Sequence, residues 1–245
     1  MSRNFELLRR AGKQEVLFGA ARRDSPSNGG PHGSSLNGAA QEEAVKLVHR
    51  LFVFPNSHGP RVVVFSNVDQ GNGSSEVCSR AGEALRTQVS GSVCLVDANL
   101  RASSLHQLFG LEKFPGLSDA AVKPGPIKGF AVQIPGQNLW IVPPGSLVGE
   151  AQGLFGSDRF RSRIAEMREE FDYVLIDTPP VASHADAVLL GQMADGVVLV
   201  VEANSTRREA ARMAKETFES ANVKLFGAIL NNRTFPIPES LYRKL

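Results

Sequence analysis

The sequence predicts an α/β fold with a mainly parallel β-sheet and helices on both of its faces, and three observations support this. First, short runs of apolar and β-branched residues alternate with longer segments of helical periodicity. Second, some of these runs, such as residues 197–201, are apolar throughout, which is typical of strands buried on both faces. Third, aspartates stand at the ends of two strands, where ligands bind in such sheets.

The N-terminal region differs from the rest of the chain. Residues 1–22 predict an amphipathic helical segment, with a helix over residues 2–13 in which apolar and basic residues take opposite sides. Residues 23–40 are rich in Gly, Pro, Ser and Asn, which predicts a flexible linker. We therefore expect the compact domain over residues 41–245.

From residue 41 onward, predicted helices and strands alternate, apart from an irregular region that ends near residue 130. The predicted strands cover residues 61–66, 92–97, 131–134, 139–142, 172–177, 196–202 and 225–230. The predicted helices begin near Gln41, cover residues 75–89, 157–170 (with Ser157 as N-cap) and 184–193, and follow a capping box formed by Thr206 and Glu209. In this last helix the residues expected to face inward are Ala210, Met213, Ala214, Thr217, Phe218 and Ala221.

Composition and charge exclude several classes of protein. With 245 residues, 42% of them hydrophobic, the chain suits one substantial domain with additional segments. No apolar stretch approaches the roughly 20 residues that span a bilayer, and the start lacks the apolar core of a signal peptide, so we expect a soluble, cytoplasmic protein. The formal charge of +2 and the lack of an aromatic and basic stripe argue against nucleic acid as a partner. Cys78 and Cys94 fall where small buried residues are typical.

A glycine-rich loop joins the strand over residues 61–66 to the next helix. Gly71 and Gly73 can adopt positive φ and turn backbone N–H groups toward an anion, and the helix N-terminus adds partial positive charge. In a Walker A loop the last glycine is followed by Lys and then by Ser or Thr. Here those positions hold Ser74 and Ser75, so a magnesium-binding hydroxyl is present and the lysine is not. Taken alone, this pattern fits a phosphate-binding loop and equally a plain turn that binds no ligand.

Two aspartates end neighbouring apolar strands. Asp97 follows residues 93–96, and Asp177 ends residues 171–177, which have the pattern of a Walker B segment that holds magnesium. A carboxylate at the end of a buried strand is costly unless it faces a polar cleft, although either residue can also cap a turn. Together with the loop, these residues predict a nucleotide site in which Ser75, Asp97 and Asp177 are the magnesium ligands.

At this point the chain resembles the bacterial tyrosine kinases of capsule and exopolysaccharide synthesis, within the P-loop NTPase class that includes septum-positioning and plasmid-partitioning ATPases. The resemblance covers about residues 41–245 and rests on residues 71–73, 93–106 and 172–181. The second of these segments is similar to the family's D-x-D-x-R motif followed by Ser-Leu-His. The resemblance implies a three-layer sandwich, catalytic roles for Asp97 and Asp177, and ATP or ADP with Mg²⁺ as cofactors. The cofactor-binding residues that it implies are Gly71, Asn72, Gly73, Ser74, Ser75, Glu76 and Asn231, the last as the residue that contacts adenine.

The departures from the family pattern fall on the catalytic parts. Ser74 replaces the lysine, Asp69 occupies the class's alternative upstream lysine position, and Asn99 replaces the second aspartate of the extra motif. Asp69 and Glu76 also add negative charge, which opposes the binding of a triphosphate. Phosphoryl transfer depends almost wholly on positioning and electrostatics. We therefore expect little or no kinase activity.

Two further departures concern assembly and phosphorylation. The family's ring-forming E-x-x-R-x-x-R pattern is represented by Glu43, Lys46 and His49, so both arginines are changed and the oligomeric state stays open. Tyr242 stands where the family carries a cluster of tyrosines for autophosphorylation. A single tyrosine can equally pack on the domain through its ring.

Three functional hypotheses follow. The first is a regulatory or scaffold partner in exopolysaccharide assembly, which binds a membrane chain-length protein or an active kinase subunit and reaches the inner membrane through it. The second is an active tyrosine kinase whose missing cation comes from Lys123, from Lys128 or from a neighbouring subunit. The third, a positioning or partition ATPase, is disfavoured by Asp69 and by the lack of a C-terminal targeting helix.

Overall fold

The computed structural model describes residues 16–18, 38–53, 59–111, 115–146 and 151–232. The predicted helix over residues 2–13 and Tyr242 lie outside the described residues, as does most of the predicted linker. The division of the chain into an N-terminal segment, a linker and a compact domain remains a prediction.

Eight strands of the described residues form one sheet in the order β1-β8-β7-β2-β6-β3-β5-β4. The strands are β1 (Val16–Phe18), β2 (Val62–Asn67), β3 (Val93–Asp97), β4 (Val132–Gln133), β5 (Leu139–Val142), β6 (Tyr173–Asp177), β7 (Gly196–Glu202) and β8 (Leu225–Asn231). Every neighbouring pair is parallel except β4 and β5, which are antiparallel. The mainly parallel sheet predicted from the sequence is therefore confirmed.

The helices cover both faces of this sheet. They are α1 (Gly38–Val48), α2 (Ser74–Gln88), α3 (Leu105–Leu108), α4 (Leu117–Val122), α5 (Ala151–Phe155), α6 (Asp158–Glu170), α7 (Asp186–Gly191) and α8 (Arg208–Ser220). A π-helical turn (His49–Val53) continues α1, and a 3₁₀ turn (Ile127–Phe130) precedes β4. Helix α6 begins as predicted, with the Ser157 hydroxyl accepting a hydrogen bond from the backbone N–H of Phe160.

Side chains along the central strands point alternately to the two faces of the sheet, which explains the three layers of helices, sheet and helices. All six residues of β2 are buried, and successive side chains of a strand point to opposite faces. Val62 and Val64 accordingly pack with α4 to α8, whereas Val63 and Phe65 pack with α1, α2 and α3. A strand that is apolar on both sides is thus enclosed by two helical layers.

Strand β1 is a feature that the sequence pattern did not reveal. Its three residues lie within the segment assigned to an amphipathic helix, and they pair in parallel with Ala228, Ile229 and Leu230 of β8. Three apolar residues are too few to produce a recognisable strand period. The edge of β8 supplies the hydrogen-bonding partner that specifies this strand. Helix α1 also begins at Gly38, slightly before its predicted start.

Two predictions for α8 were wrong. Met213, expected to face inward, is 66% exposed, and Thr217 is also exposed. The predicted capping box does not form, because the helix begins at Arg208 after Arg207, which makes no side-chain cap. The hydroxyl of Thr206 instead accepts a hydrogen bond from the backbone N–H of Glu202, which fixes the turn after β7.

Among the described residues, none of the helices combines the length and the apolar character that crossing a membrane requires. The two described cysteines, Cys78 and Cys94, are free and buried, as their sequence positions predicted. Burial raises the pKa of both thiols, so neither is poised for metal binding or redox chemistry.

The two faces of α8 give a test of the packing. Phe218 is fully buried and Met213 is largely exposed. We expect Phe218→Ala to lower the free energy of unfolding by about 3–5 kcal/mol because it leaves a cavity. Met213→Ala, the control on the same helix, should change it by no more than about 0.5 kcal/mol. Urea denaturation followed by circular dichroism measures both, and equal effects would contradict the placement of α8.

Candidate functional site

The site lies where the central strands β2, β3 and β6 end. We call this side of the sheet, formed by the carboxyl ends of the strands, the carboxyl edge. The glycine-rich loop between β2 and α2 is built on two residues with positive φ, Gly71 at +85° and Gly73 at +76°. A Cβ atom at Gly73 would lie only 2.5 Å from the side-chain nitrogen of Asn231. Both the backbone conformation and the close approach therefore require glycine at this position.

The hydroxyls of the loop turn onto the aspartate of β6. Ser74 Oγ donates to Asp177 Oδ1 at 2.7 Å, and Ser75 Oγ donates to Asp177 Oδ2 at 2.5 Å. Asp177 is fully buried and Ser74 nearly so. The residue at the lysine position of a Walker A loop is thus a neutral hydrogen-bond donor to the Walker B aspartate.

Two buried carboxylates stand side by side in this site. Asp97 and Asp177 are register partners on β3 and β6, and both are fully buried. Burial and, to a lesser extent, the charge of Asp97 raise the pKa of Asp177 to about 7, although hydrogen bonds from Ser75 and Ser74 oppose this shift. Burial also raises the pKa of Asp97, although His106 opposes this shift. Among the described residues, the basic side chain that pairs with these carboxylates is that of His106.

Asp97 is held by one residue of α3. The backbone N–H of His106 and its ring Nδ1 both contact Asp97 Oδ2, at 3.3 and 3.2 Å. Asp97 Oδ1 is buried and has no hydrogen-bond partner. His106 was not among the predicted site residues, and its place in the Ser-Leu-His stretch after Asp97 was the signal available in the sequence.

In the D-x-N-x-R segment, the side chains of Asn99 and Arg101 have hydrogen-bond partners other than the two carboxylates. Asn99 Oδ1 accepts a hydrogen bond from the backbone N–H of Ala102 at 3.1 Å, so it stabilises a turn. Arg101 forms an ion pair with Asp186, a fully buried residue of α7. The guanidinium group nearest in sequence to Asp97 is therefore committed to another acid.

Hydrogen bonds of Asn72 and Asn231 connect the loop to the ends of the strands. Asn231, at the end of β8, donates to the backbone carbonyl of Asn72 at 2.9 Å. The side chain of Asn72 in turn donates to Thr206 Oγ1 at 2.9 Å. The structure thus brings Asn231 to the loop, while its contact with adenine remains a prediction.

Neither lysine proposed as a substitute cation is free. Lys123 pairs with Asp119 at 2.7 Å, and Lys128 pairs with Glu170 at 2.7 Å. Lys128 also lies 5.6 Å from the centre of the Phe171 ring. Because Phe171 precedes β6, Lys128 lies at the edge of the sheet opposite Asp177.

The charged residues of the loop and of the first turn of α2 are acidic. Asp69 and Glu76 are exposed on it, and Glu76 has a weak ion pair with Arg80 at 3.7 Å. In the part of the chain that the structure describes, no lysine or arginine forms an ion pair with Asp97 or Asp177.

The residues of the ring-forming pattern make contacts within the chain. Lys46 pairs with Glu42 and Glu43, on the same helix, at 3.0 and 2.9 Å. His49 Nε2 lies 2.8 Å from the side-chain oxygen of Gln88 in α2. These contacts do not determine the oligomeric state.

A magnesium ion fits this arrangement better than a triphosphate does. Carboxylate and hydroxyl oxygens are the donors that Mg²⁺ prefers, and Asp97 Oδ1 is an acceptor without a partner. Glycine-rich backbone and the N-terminus of α2 can contact phosphate oxygens. However, the cation that offsets triphosphate charge is missing and the exposed acids oppose that charge.

The architecture and the site together define a P-loop NTPase-like protein: a mainly parallel sheet, a glycine-rich strand-to-helix loop and aspartates ending two adjacent strands. The chain belongs to the family described as cellulose biosynthesis protein BcsQ, whose model matches residues 61–226. That match covers both aspartates and the loop.

The chain is also similar to bacterial tyrosine-protein kinases. It is 33% identical over 141 residues to tyrosine-protein kinase YwqD of Bacillus subtilis, which is 58% of this chain and 60% of YwqD. It is 28% identical over 171 residues to tyrosine-protein kinase wzc of Salmonella typhimurium, which is 70% of this chain and 24% of wzc. The chain therefore spans less than two thirds of the length of either relative.

Solved structures support the same fold. The chimerical protein CapA2B2 superposes with a TM-score of 0.81 and 21% identity, covering 94% of this chain and 99% of that one. The septum site-determining protein MinD of Pyrococcus horikoshii, complexed with Mg-ADP, superposes with a TM-score of 0.58 and 19% identity, covering 75% and 76%. At these identities the likeness shows the fold alone.

The raised pKa of Asp177 predicts how stability depends on pH. An unfolded aspartate titrates near 3.8, whereas folded Asp177 titrates near 7. Between about pH 4 and pH 7 the folded chain retains a proton that the unfolded chain has lost. The contribution of Asp177 to the free energy of unfolding therefore falls by about 1.4 kcal/mol per pH unit over this range. Above pH 7 the contribution stays constant.

Asp177→Asn tests this prediction, because it removes the ionisable group and keeps the shape. Urea denaturation of both proteins in EDTA at pH 5, 6, 7 and 8 gives the difference in unfolding free energy, in which the other titrating groups largely cancel. As the pH rises to about 7, we expect the unfolding free energy of the wild type to fall relative to that of the variant. Above pH 7 the difference between the two should stay constant. A constant difference at every pH would contradict the raised pKa.

Proposed function

We propose that this chain is a tyrosine-kinase-family P-loop protein of exopolysaccharide biosynthesis or export that has little or no kinase activity and acts as a regulatory or scaffold partner. The contact that carries this proposal is the pair of hydrogen bonds from Ser74 and Ser75 to Asp177. In these contacts the loop satisfies the carboxylate with hydroxyls, and no lysine is available to offset phosphate charge.

The charges of the loop support impaired catalysis. A transferring phosphoryl group needs preorganised positive charge, and the loss of one such donor typically lowers a rate by about 10²–10³. Here the lysine is absent and two exposed acids, Asp69 and Glu76, lie on the same loop. Their charge raises the energy of a bound triphosphate further.

Magnesium has a place in this proposal. Ser75, Asp97 and Asp177 would hold it, and the ion would supply the positive charge that the two buried carboxylates lack. Nucleotide contacts would come from the loop backbone between Gly71 and Gly73 and from Asn231. The chemistry of the site thus favours weak binding of ADP or ATP that depends on the metal.

The proposed process and partners follow from the family and its relatives. The family description names cellulose biosynthesis, and cellulose is an exopolysaccharide. We propose that the partner is either a membrane chain-length protein of polysaccharide export or an active kinase subunit. Such a partner would bring the chain to the inner membrane as a peripheral component.

One observation favours a second candidate, an active kinase with an unusual cation. Arg207 is exposed and adjacent to Thr206, whose hydroxyl binds Asn72 of the loop. Among the described residues Arg207 has no ion-pair partner. We therefore take Arg207 as the candidate cation for a phosphate at the loop.

Nucleotide titration tests whether the loop has kept its shape. We expect calorimetry to show weak or undetectable binding of Mg-ADP and Mg-ATP to the wild type, and binding tighter by about 10- to 100-fold in Ser74→Lys, because a charge-assisted hydrogen bond contributes about 1.5–3 kcal/mol. Ser90→Lys adds the same charge after the far end of α2 and is the control. Tight binding by the wild type would contradict the proposal.

Activity assays separate the two candidates. With Mg²⁺ and ATP, we expect the wild type to show no phosphate release or tyrosine phosphorylation above the level of Asp97→Asn. Turnover well above that level would contradict the proposal. If that turnover disappears in Arg207→Ala and persists in Arg212→Ala, a variant of the arginine that pairs with Glu216, the second candidate is correct.

A further inference from the structure

The two oxygens of the Asp97 carboxylate have different environments. Oδ2 is contacted by both the backbone N–H and the ring Nδ1 of His106. Oδ1 is buried without a partner. An unpartnered carboxylate oxygen in a fully buried side chain carries a desolvation penalty that a ligand can remove.

Asp97 Oδ1 differs in its hydrogen bonding from the oxygens of the neighbouring Asp177. Both carboxylate oxygens of Asp177 already accept hydrogen bonds, one from Ser74 and one from Ser75. Of the four carboxylate oxygens in the pair, Asp97 Oδ1 is therefore the one without a hydrogen-bond partner. A cation that enters the site can bind this oxygen without breaking an existing hydrogen bond.

His106 determines which oxygen of Asp97 stays free. Its backbone and its ring hold the same oxygen from two directions, which restricts rotation of the carboxylate about its Cβ–Cγ bond. The backbone N–H donates to Oδ2, and when Asp97 is ionised Oδ2 can only accept, so Nδ1 then carries the proton of this contact. His106 is itself 3% exposed, so packing limits the rotation of the ring.

We propose that His106 is a positioning residue for a divalent-cation site at Asp97 and Asp177, because it takes Oδ2 and leaves Oδ1 for the metal. This inference rests on the magnesium site of the proposed function and is independent of whether the protein transfers phosphate. A histidine that orients a ligating carboxylate from outside the coordination sphere is a known way of tuning a metal site.

The chemistry of the donors defines the kind of ion. Among the described residues, no group of three or more His, Cys, Asp and Glu side chains is placed to hold one metal ion, so the ligand set typical of zinc is not found there. Two carboxylates and a hydroxyl match Mg²⁺ or Mn²⁺, which keep several water ligands. Mn²⁺ is the suitable probe, since its binding is observed directly by electron paramagnetic resonance.

Two substitutions at position 106 separate positioning from packing. The side-chain nitrogen of asparagine can occupy the place of Nδ1, whereas that of glutamine corresponds to Nε2. In titrations of the full chain with Mn²⁺ and no nucleotide, His106→Asn should bind within about threefold of the wild type, and His106→Gln about 10- to 100-fold more weakly. Asp97→Asn should abolish binding, and His49→Asn, a variant of the histidine beside Gln88, should leave it unchanged.

The outcomes distinguish this inference from the proposed function. No Mn²⁺ binding by the wild type, or equal affinity in His106→Asn and His106→Gln, would overturn the role of His106 and leave the prediction of absent kinase activity intact. Detectable turnover with the expected Mn²⁺ affinities would overturn the proposed function and retain His106 as the positioning residue.

A measurement on the wild type covers the case in which a variant fails to fold. Nitrogen NMR of ¹⁵N-labelled histidine should show His106 Nδ1 protonated, and its signal should shift on addition of Mg²⁺ while that of His49 does not. An unprotonated Nδ1, or no shift on addition of Mg²⁺, would overturn the proposal.

Discussion

The constraint on which this site depends is the placement of two buried carboxylates on adjacent parallel strands. Asp97 and Asp177 are register partners and have no access to solvent. Such a pair is costly in a protein interior, and each nearby polar group reduces that cost. Ser74 and Ser75 donate to one carboxylate and His106 donates to the other. The conformation of the loop and the position of α3 both meet this requirement.

The same constraint explains how the glycine-rich loop can keep its place without a lysine at position 74. The lysine of a Walker A loop offsets phosphate charge, but the structure of this chain does not need it. Ser74 replaces it with a hydrogen bond to Asp177, and Asn231 secures the loop from the other side through Asn72. The glycine-rich loop thus keeps its place at the carboxyl edge. The side chains that it directs to the site are hydroxyls, which carry no positive charge.

Much of the site could be predicted from the sequence because its parts are local signals. Positive-φ glycines, an aspartate ending an apolar run and the missing lysine each occupy a few consecutive residues. The errors arose where a local pattern competed with a distant partner. Thr206 has the spacing of a capping box, yet its hydroxyl binds Glu202 and Asn72. Met213 matches a helical period, yet it is largely exposed and no element of the described residues covers it.

The sequence by itself determined the parallel sheet, its two helical layers and the identity of the loop and the two aspartates, because hydrophobic periodicity and glycine positions act over short distances. Only the tertiary structure decided which groups meet at the site. Ser74 reaches Asp177 across 103 residues and Asn231 reaches Asn72 across 159, and the pairing of β1 with β8 is similarly remote. Such contacts depend on strand order and register, which no single segment encodes. The free oxygen of Asp97 is one consequence, since it exists only because α3 brings His106 to the other.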